Sequence, residues 1–280
     1  MPPLIRTFDR GDMEFALEQT RREGWDATAE LFETCLAHEP DGCFVAELDG
    51  RRAGMVTTTR YPRSGWIGNL IVPPECRRQG VGERLMRHAL RHLTQHSLKT
   101  IRLEADPQGV PLYRRLGFVD EYESLRFRRP AGGRGLRAAA TRVTAGDLPA
   151  IADLDSACFG DDRRKLLTLL WPQAHAATWQ SDEGCARGYI LATRSRVGLR
   201  IGPWVAEEPA VAESLLRTLL ADWPDTTIVL GVPSPNRDAA SLLVSHGFVP
   251  TPSCLRMVLG ERVATGRPER IFAIANGAMG

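Results

Sequence analysis

The order of hydrophobic and polar positions predicts short strands alternating with amphipathic helices. The apolar run Trp66–Val72 predicts a strand, and Pro73-Pro74 end it. From Val81 onward, apolar residues recur at helical spacing, which predicts a long helix. Across residues 1–129 the pattern predicts the order β-α-α-β-β-β-α-β-α-β, with a hairpin turn at Asp49-Gly50.

The loop between this strand and this helix carries a specific pattern. It is Arg77-Arg78-Gln79-Gly80-Val81-Gly82, or Arg-x-x-Gly-x-Gly. Glycine permits positive φ and leaves no Cβ in the way of a ligand, and free N–H groups at a helix N-terminus suit a pyrophosphate. The loop resembles the acetyl-CoA loop of the GNAT superfamily of N-acetyltransferases. The alternative is an ordinary strand-to-helix turn of an α/β domain, because short glycine patterns occur widely.

A second segment strengthens the resemblance. Leu112-Tyr113 followed by Gly117-Phe118 resembles the second signature of the family, a Leu-Tyr followed shortly by Gly-Phe. The predicted order of elements also matches the GNAT fold. The resemblance implies an α/β fold of the α+β mixed-sheet type, in which a twisted mixed β-sheet is flanked by helices.

The pattern of the first half starts again in the second half. Leu116-Gly117-Phe118-Val119 is echoed by His246-Gly247-Phe248-Val249, and strand-like and helix-like runs recur in the same relative places. We therefore predict two tandem GNAT-like domains, a catalytic one at 1–129 and a second at 136–280, joined by a linker at 130–135. The alternative is one GNAT domain followed by an unrelated cap.

The second copy lacks the cofactor loop. In the corresponding place it has Val205-Ala206-Glu207-Glu208-Pro209-Ala210. Two carboxylates would repel a pyrophosphate, and a proline removes an N–H donor. The second domain is therefore predicted to be cofactor-incompetent. For the strand-like segment Arg270–Ala275 we favour pairing within its own domain, with a swap into the first domain as the alternative.

Composition narrows the class of protein. The 280 residues carry a formal charge of +2, whereas nucleic-acid-binding domains usually have a clear basic excess. The six cysteines include no Cys-x-x-Cys pair, so no zinc ribbon or dithiol redox site is expected and no metal is predicted. The N-terminus lacks a signal-peptide pattern, and no apolar run approaches the roughly 20 residues of a membrane span. We expect a cytoplasmic monomer or homodimer with neither a nucleic-acid nor a membrane partner.

The resemblance assigns a set of residues to the cofactor, which would be acetyl-CoA. Loop amides would bind the pyrophosphate, and the main chain of the central strand would align the pantetheine arm. The predicted cofactor-binding residues are Leu70, Ile71, Val72, Arg77, Arg78, Gln79, Gly80, Val81, Gly82, Glu83 and Tyr113. For each arginine of the loop, the alternative is a solvated surface position.

Tyr113 is the predicted acid catalyst. In the family, the matching tyrosine donates a proton or hydrogen bond to the departing thiolate. A tyrosine with a pKa near ~10 stays protonated at neutral pH, while the thiol formed has a pKa near ~8.5. The alternative is a tyrosine that only packs on a helix face. Asp106 departs from the family pattern, because many relatives have there an asparagine that contacts the cofactor.

The general base stays open at this stage. A primary amine is protonated at neutral pH, so a group must take a proton from it. Glu30 and Glu33 lie on the predicted second helix, which in the family borders the substrate. Further candidates are Glu104, His38, Asp155, Asp161 and Asp162. The alternative for each is a side chain that is simply solvated.

We expect an N-acetyltransferase that moves the acetyl group of acetyl-CoA to a primary amine of a small molecule, by direct attack in a ternary complex. One alternative is a protein or peptide acetyltransferase acting on lysine or an N-terminus, which would need an open groove. Another is a non-catalytic acyl-CoA-binding sensor. Tyr113 argues against the sensor, and the missing obvious base argues for it.

Overall fold

The computed structural model of the chain describes residues 2–132, 141–142, 145–180, 185–262 and 265–280. The chain forms two compact units, and each unit draws on more than one segment of the sequence. Unit 1 comprises Met1–Val119, Met257–Val263 and Gly277–Gly280, and unit 2 comprises Asp120–Arg256 and Ala264–Asn276.

The first part of the chain forms the elements that the hydrophobic pattern predicts, in the predicted order. The strands are β1 (Leu4–Thr7), β2 (Cys43–Leu48), β3 (Arg51–Arg60), β4 (Ser64–Ile71), β5 (Thr100–Ala105) and β6 (Val119–Arg129). The helices are α1 (Met13–Arg22), α2 (Ala29–His38), α3 (Val81–Gln95) and α4 (Val110–Arg115).

The second part repeats this alternation with extra elements. The strands are β7 (Thr141–Arg142), β8 (His175–Gln180), β9 (Ala186–Ser195), β10 (Gly198–Ala206), β11 (Ile228–Pro233), β12 (Val249–Gly260) and β13 (Ile271–Ala273). The helices are α5 (Leu148–Phe159), α6 (Arg164–Leu170), α7 (Pro209–Asp222) and α8 (Arg237–Ser245). Of the predicted linker, residues 133–135 lie outside the described residues.

The sheet of unit 1 is mixed. β1 to β4 pair in sequence as antiparallel neighbours, and β5 then pairs with β4 in parallel after the crossover through α3. The β4–β5 register begins at Ser64 opposite Thr100 and ends at Ile67 opposite Leu103. The last residues of β4 are therefore not paired with β5, and the space between the two strands at that end is named the groove here.

Helix α3 covers one face of this sheet. Its side chains Leu85, Met86, Ala89 and Leu93 are fully buried and follow the spacing of a single apolar stripe. A Cβ placed on Gly65 of β4 would lie 3.0 Å from both methyl carbons of Leu93. This face of β4 is thus closed by core packing.

Two late segments of the chain belong to unit 1. The N–H of Glu261 donates to the carbonyl of Lys99 (2.9 Å), next to the start of β5. The units therefore differ from the predicted division at residue 129, since Asp120–Arg129 lies in unit 2 and Met257–Val263 and Gly277–Gly280 lie in unit 1. A local hydrophobic pattern shows that a segment is a strand, but its sheet is chosen by tertiary contacts.

The sheet of unit 2 has the same plan. β10 and β11 are parallel, β6 joins β11, and β9, β8 and β7 follow β10 as antiparallel neighbours. β13 pairs antiparallel with β10, with Trp204 opposite Ala273, and this confirms that the last predicted strand joins its own domain. The observed fold is α/β with mixed sheets and flanking helices, as predicted. No helix among the described residues is long and apolar enough to cross a bilayer.

Candidate functional site

The end of β4 is bent where it leaves β5. The pairing with β3 shifts register between Thr57, which faces Gly68, and Met55, which faces Ile71. Asn69, inside this bulge, has φ of 49°, a left-handed conformation that asparagine tolerates better than most residues. Its Nδ2 donates to Oγ1 of Thr57 (3.1 Å), which fixes the bulge. The predicted cofactor residues Leu70, Ile71 and Val72 follow directly.

The Arg-x-x-Gly-x-Gly loop enters α3 through two left-handed residues. Arg78 has φ of 61°, and Gly80, the N-cap of α3, has φ of 77° with open space around it. Within residues 2–132, the N–H groups of 78–83 donate to no carbonyl or side chain, and the first loop-to-helix bond runs from Arg84 to Gly80 (3.1 Å). An α-helix leaves its first N–H groups unsatisfied, and they bind anions well. The loop thus presents a run of donors to solvent.

The loop, the central strand and α4 meet at Gly82. A Cβ on Gly82 would lie 3.5 Å from Cγ2 of Val72 and 3.7 Å from Cδ2 of Leu112. Val72 ends the central strand, and Leu112 precedes Tyr113 on α4. The structure therefore brings both sequence signatures together around the N-terminus of α3.

Glu23, at the end of α1, holds the two loops that flank the groove. One of its carboxylate oxygens accepts from Arg77, and the other accepts from Nε2 of Gln108 (3.1 Å). Arg77 also donates through Nε to the carbonyl of Val72 (2.8 Å). The guanidinium of Arg77 is thus held by the protein itself. No pattern near Glu23 predicts this role, because its partners are 54 and 85 residues away along the chain.

Tyr113 lies on α4 with its ring over the main chain of Gly109. A Cβ on Gly109 would lie 2.8 Å from Cε2 of the ring and 3.3 Å from its hydroxyl oxygen. The side chain is buried and packs edge-on against Phe118, with ring centroids 6.1 Å apart. Burial and the negative charge of Asp106 raise the pKa of the hydroxyl well above its usual value near 10. Tyr113 therefore stays protonated, as a proton donor must.

Asp106 has a protein partner. Its Oδ2 accepts a hydrogen bond from Nε1 of Trp25 (3.1 Å), on the loop that joins α1 to α2. This contact and the Glu23 bridges tie the α1–α2 loop to the edges of the groove. Asp106 thus positions this loop and tunes the Tyr113 hydroxyl.

The candidate bases differ in their surroundings. Glu30 and Glu33 are exposed on the outer side of α2. Glu104 lies near the end of β5, where alternation places it on the sheet face opposite α3, and both of its carboxylate oxygens are buried. His38 is buried, with its ring edge-on to Tyr61 at 5.6 Å between centroids. The structure describes all four and assigns the base role to none.

Asp155 is engaged in a buried ion pair of unit 2. Its Oδ1 and Oδ2 accept from Arg163 at 2.6 and 2.9 Å, and Oδ1 also accepts from the hydroxyl of Tyr189. All three side chains are almost fully buried. A carboxylate so paired is a structural element of unit 2, which removes Asp155 from the base candidates.

The strand-to-helix turn of unit 2 presents carboxylates instead of donors. Glu207 and Glu208 both pair with Arg187, and Glu208 lies 2.7 Å from its Nη2. Pro209 occupies the first position of α7. Leu243, fully buried, stands where the first copy has Tyr113.

The groove between β10 and β11 is filled by the chain itself. These strands pair only at Leu199 and Arg200, and β13 then pairs with β10 beyond that point. The N–H of Ile274 donates to the carbonyl of Gly231 on β11 (2.9 Å), and Nδ2 of Asn236 donates to the carbonyl of Ile271 (3.0 Å). In unit 2, the segment 271–274 thus lies between the diverging ends of β10 and β11.

No group of three or more His, Cys, Asp or Glu side chains in the described parts of the chain is arranged to hold a metal ion.

Two sequence profiles of one family match the chain. The profile described as the acetyltransferase (GNAT) family matches residues 10–118, and the profile described as the acetyltransferase (GNAT) domain matches residues 151–273.

Curated relatives agree with this match. The holothin acyltransferase of a Pseudoalteromonas species is 26% identical over 267 residues, which cover 92% of this chain and 88% of that protein. The uncharacterized N-acetyltransferase YitH of Bacillus subtilis is 28% identical over 188 residues. That match covers 65% of either protein, so the chain spans just under two thirds of the length of YitH.

Solved structures match along the whole chain. An acetyltransferase, provisionally so named, from Pyrococcus horikoshii has a TM-score of 0.86 at 27% identity, with 100% of this chain and 96% of that chain covered. A tandem GNAT protein from the clavulanic acid biosynthesis pathway has a TM-score of 0.65 at 15% identity, with 92% of this chain and 98% of that chain covered. The second match concerns the fold alone.

Proposed function

The chain belongs to the GNAT acetyltransferases, with two GNAT domains in tandem, and on that premise we propose that unit 1 transfers the acetyl group of acetyl-CoA to the primary amine of a small molecule. Unit 2 contributes structure and binds no cofactor. Membership of this family makes the protein an acyltransferase. We propose its co-substrate, its acceptor and the roles of its residues.

The observation that carries the proposal is the run of unsatisfied N–H groups from Arg78 to Glu83. Such donors stabilise a bound pyrophosphate, and each charge-assisted hydrogen bond contributes about 1.5–3 kcal/mol. The exposed side chains of Arg78 and Arg84 add positive charge around the loop. Acetyl-CoA fits this loop because it is an anion with a narrow arm, and the opening between β4 and β5 lies beside it.

We assign the main chain of β4 to cofactor binding and the hydroxyl of Tyr113 to the leaving thiolate. The main chain of Leu70, Ile71 and Val72 would hold the pantetheine arm along β4, as a strand pairs with its neighbour. The hydroxyl of Tyr113 would donate its proton to the thiolate that leaves. Burial raises the pKa of this hydroxyl, so the group is protonated at neutral pH and would meet the thiolate as a hydrogen-bond donor.

The base remains a choice among glutamates. Glu30 and Glu33 are exposed, so they would need water to relay a proton from the amine. Glu104 is the alternative at the open end of β5. Replacing each in turn by glutamine and measuring the acid limb of the pH–rate profile identifies the base, because the essential variant loses that limb.

A small-molecule acceptor is favoured by the relatives. The holothin acyltransferase, which matches nearly the whole chain, is named for a single compound. The match covers 92% of this chain, more than either unit alone contains.

The proposal is tested by free-thiol release from acetyl-CoA with amino acids, polyamines, aminoglycosides and lysine peptides as acceptors. Release with one class of small amine, and none with peptides, is the expected result. Release with lysine peptides alone would assign a protein acetyltransferase instead. Binding of acetyl-CoA with no release above hydrolysis for any acceptor would favour a sensor.

A further inference from the structure

The end of the chain packs on the central strand of unit 1. A Cβ placed on Gly68 would lie 2.4 Å from both Cα and Cβ of Ala278. The hydroxyl of Tyr61, just before β4, donates to the carbonyl of Met279 (2.7 Å). Ala278 and Met279 are both buried. The segment Gly277–Met279, named here the tail, is therefore an ordered part of unit 1.

The tail lies at the point where β4 leaves β5. Ile67 is the last residue of β4 that pairs with β5, and Gly68 is the next. Gly68 precedes Leu70 by two residues, which is roughly 7 Å along a strand. The tail thus contacts β4 two residues before the main chain that would hold the pantetheine arm of the cofactor.

The tail lies on the face of β4 opposite α3, the face that also carries the buried Trp66. Gly65 and Ile67 point toward α3, where Leu93 and its neighbours fill the space. Side chains alternate along a strand, so Gly68 points to the other face. An acceptor that reaches the reacting end of this groove must therefore approach from the face that carries the tail.

Gly68 is explained by this contact. Glycine inside a central strand weakens it and usually marks the close approach of another backbone. Unit 2 repeats the arrangement, because a Cβ on Gly202, which follows Ile201 as Gly68 follows Ile67, would lie 1.9 Å from the carbonyl oxygen of Ile274. In each unit the late chain segment rests on the equivalent glycine.

We propose that the tail forms one wall of the acceptor site of unit 1 and selects amines by the size of the group beside the reacting nitrogen. This inference rests on the proposed function of unit 1. Gly68 and Tyr61 act through the tail, and are positioning residues. The tail residues Gly277, Ala278 and Met279 carry no charged side chain, so the wall suits an amine with an apolar body.

The test compares Gly68→Ala with Gly65→Ala, the same change on the same strand but on opposite faces. The three heavy atoms nearest to a Cβ on Gly65 are methyl carbons of Leu93 and Leu98, at 3.0 to 3.2 Å, and these ends of flexible side chains can yield. In Gly68→Ala the tail must move, and we expect KM for the amine to rise about tenfold while the dissociation constant of acetyl-CoA changes by less than about twofold. Gly65→Ala should leave both values within about twofold.

Two further variants test the same inference if Gly68→Ala fails to fold. Tyr61→Phe removes the hydroxyl that donates to Met279, and we expect KM for the amine to rise about threefold at unchanged kcat. Removal of residues 277–280 should raise the ratio of kcat/KM for a branched amine over a linear amine by about tenfold.

The inference is overturned if Gly68→Ala folds and turns over its amine with unchanged KM, or if the two glycine variants behave alike. It is overturned as well if the truncated protein keeps the wild-type ratio. A wild type that acetylates no amine would refute the proposed function, and the inference with it, before any variant is compared.

Discussion

The side-chain amide of Asn69 donates a 3.1 Å hydrogen bond to the hydroxyl oxygen of Thr57, and this bond locks the bulge from which β4 diverges from β5. Two separable effects hold the bulge. One is the hydrogen bond, and the other is the tolerance of asparagine for its φ of 49°.

The two effects predict different costs for two variants. Asn69→Gly keeps the backbone conformation and loses the bond, so the free energy of unfolding should fall by about 1 kcal/mol. Asn69→Ala also strains the left-handed backbone, and should lose about 1–2 kcal/mol more. Urea titration measures both. Equal stabilities of the two variants would show that the backbone conformation of residue 69 is not strained.

Gly82→Ala should separate folding from binding. The new Cβ makes ordinary contacts with Val72 and Leu112, and alanine favours a helix over glycine by about 0.8–1.0 kcal/mol, so stability should hold or rise. The same methyl group stands among the donors proposed for the pyrophosphate. We expect the dissociation constant of acetyl-CoA to rise roughly tenfold or more, a loss of about 1.4 kcal/mol.

Gly80→Ala is the matched control for that experiment. Its Cβ would meet nothing within 4 Å, but its φ is 77°, so stability should fall through backbone strain. If Gly82→Ala binds acetyl-CoA as wild type does, the pyrophosphate does not lie at the N-terminus of α3.

One acetyl-CoA should bind per chain in a calorimetric titration. Unit 2 opposes binding with the carboxylates of Glu207 and Glu208, and β13 fills its groove. Neutralising both carboxylates as glutamines should therefore still give a single site. A stoichiometry near two, in the wild type or in this double variant, would contradict the account of unit 2.

Acid should destabilise unit 1 through Glu39. Burial raises the pKa of this carboxyl, but the nearby His92 and the hydrogen-bonded guanidinium of Arg60 lower it by more, so that the pKa falls from 4.5 to about 2. A lowered native pKa stabilises the fold above the ordinary pKa, and that stabilisation is lost as pH falls from 4.5 toward about 2. Arg60 Nε donates to Oε2 at 2.6 Å, so the pair is in direct contact.

The check is the free energy of unfolding of wild type and Glu39→Gln at several pH values. The variant should start less stable near neutral pH and lose less stability through the acid window. Equal losses in both proteins would assign the acid sensitivity to other groups, of which Asp12, paired with Arg6 and Arg52, is the foremost.

Features set by neighbouring residues can be predicted from the sequence, whereas features set by contacts between distant residues cannot. The loop at 77–82 and the helix after it are local, because glycine and periodic apolar residues act within a few positions. The order of elements from β1 to β6 was confirmed for the same reason. Glu30 and Glu33 stay predictions, because no local feature distinguishes a catalytic carboxylate from a solvated one.

The features that the sequence does not predict depend on contacts between residues that are far apart along the chain. The bond between Tyr61 and Met279 spans 218 positions, and no pattern near either residue announces it. The transfer of Asp120–Arg129 to unit 2 is of the same kind. Gly68 was the available signal, since a glycine within a central strand often marks where another part of the backbone approaches.

The most direct test of the account is free-thiol release from acetyl-CoA by wild type and Tyr113→Phe with the best small amine. The phenylalanine removes only the hydroxyl, which contributes no hydrogen bond among the described residues, so the fold and the dissociation constant of acetyl-CoA should be unchanged. We predict amine-dependent release in the wild type and a severalfold or greater fall in kcat in the variant. Equal kcat values in the two proteins would contradict the role of Tyr113 as the proton donor, and no amine-dependent release in the wild type would contradict the acetyltransferase activity proposed for unit 1.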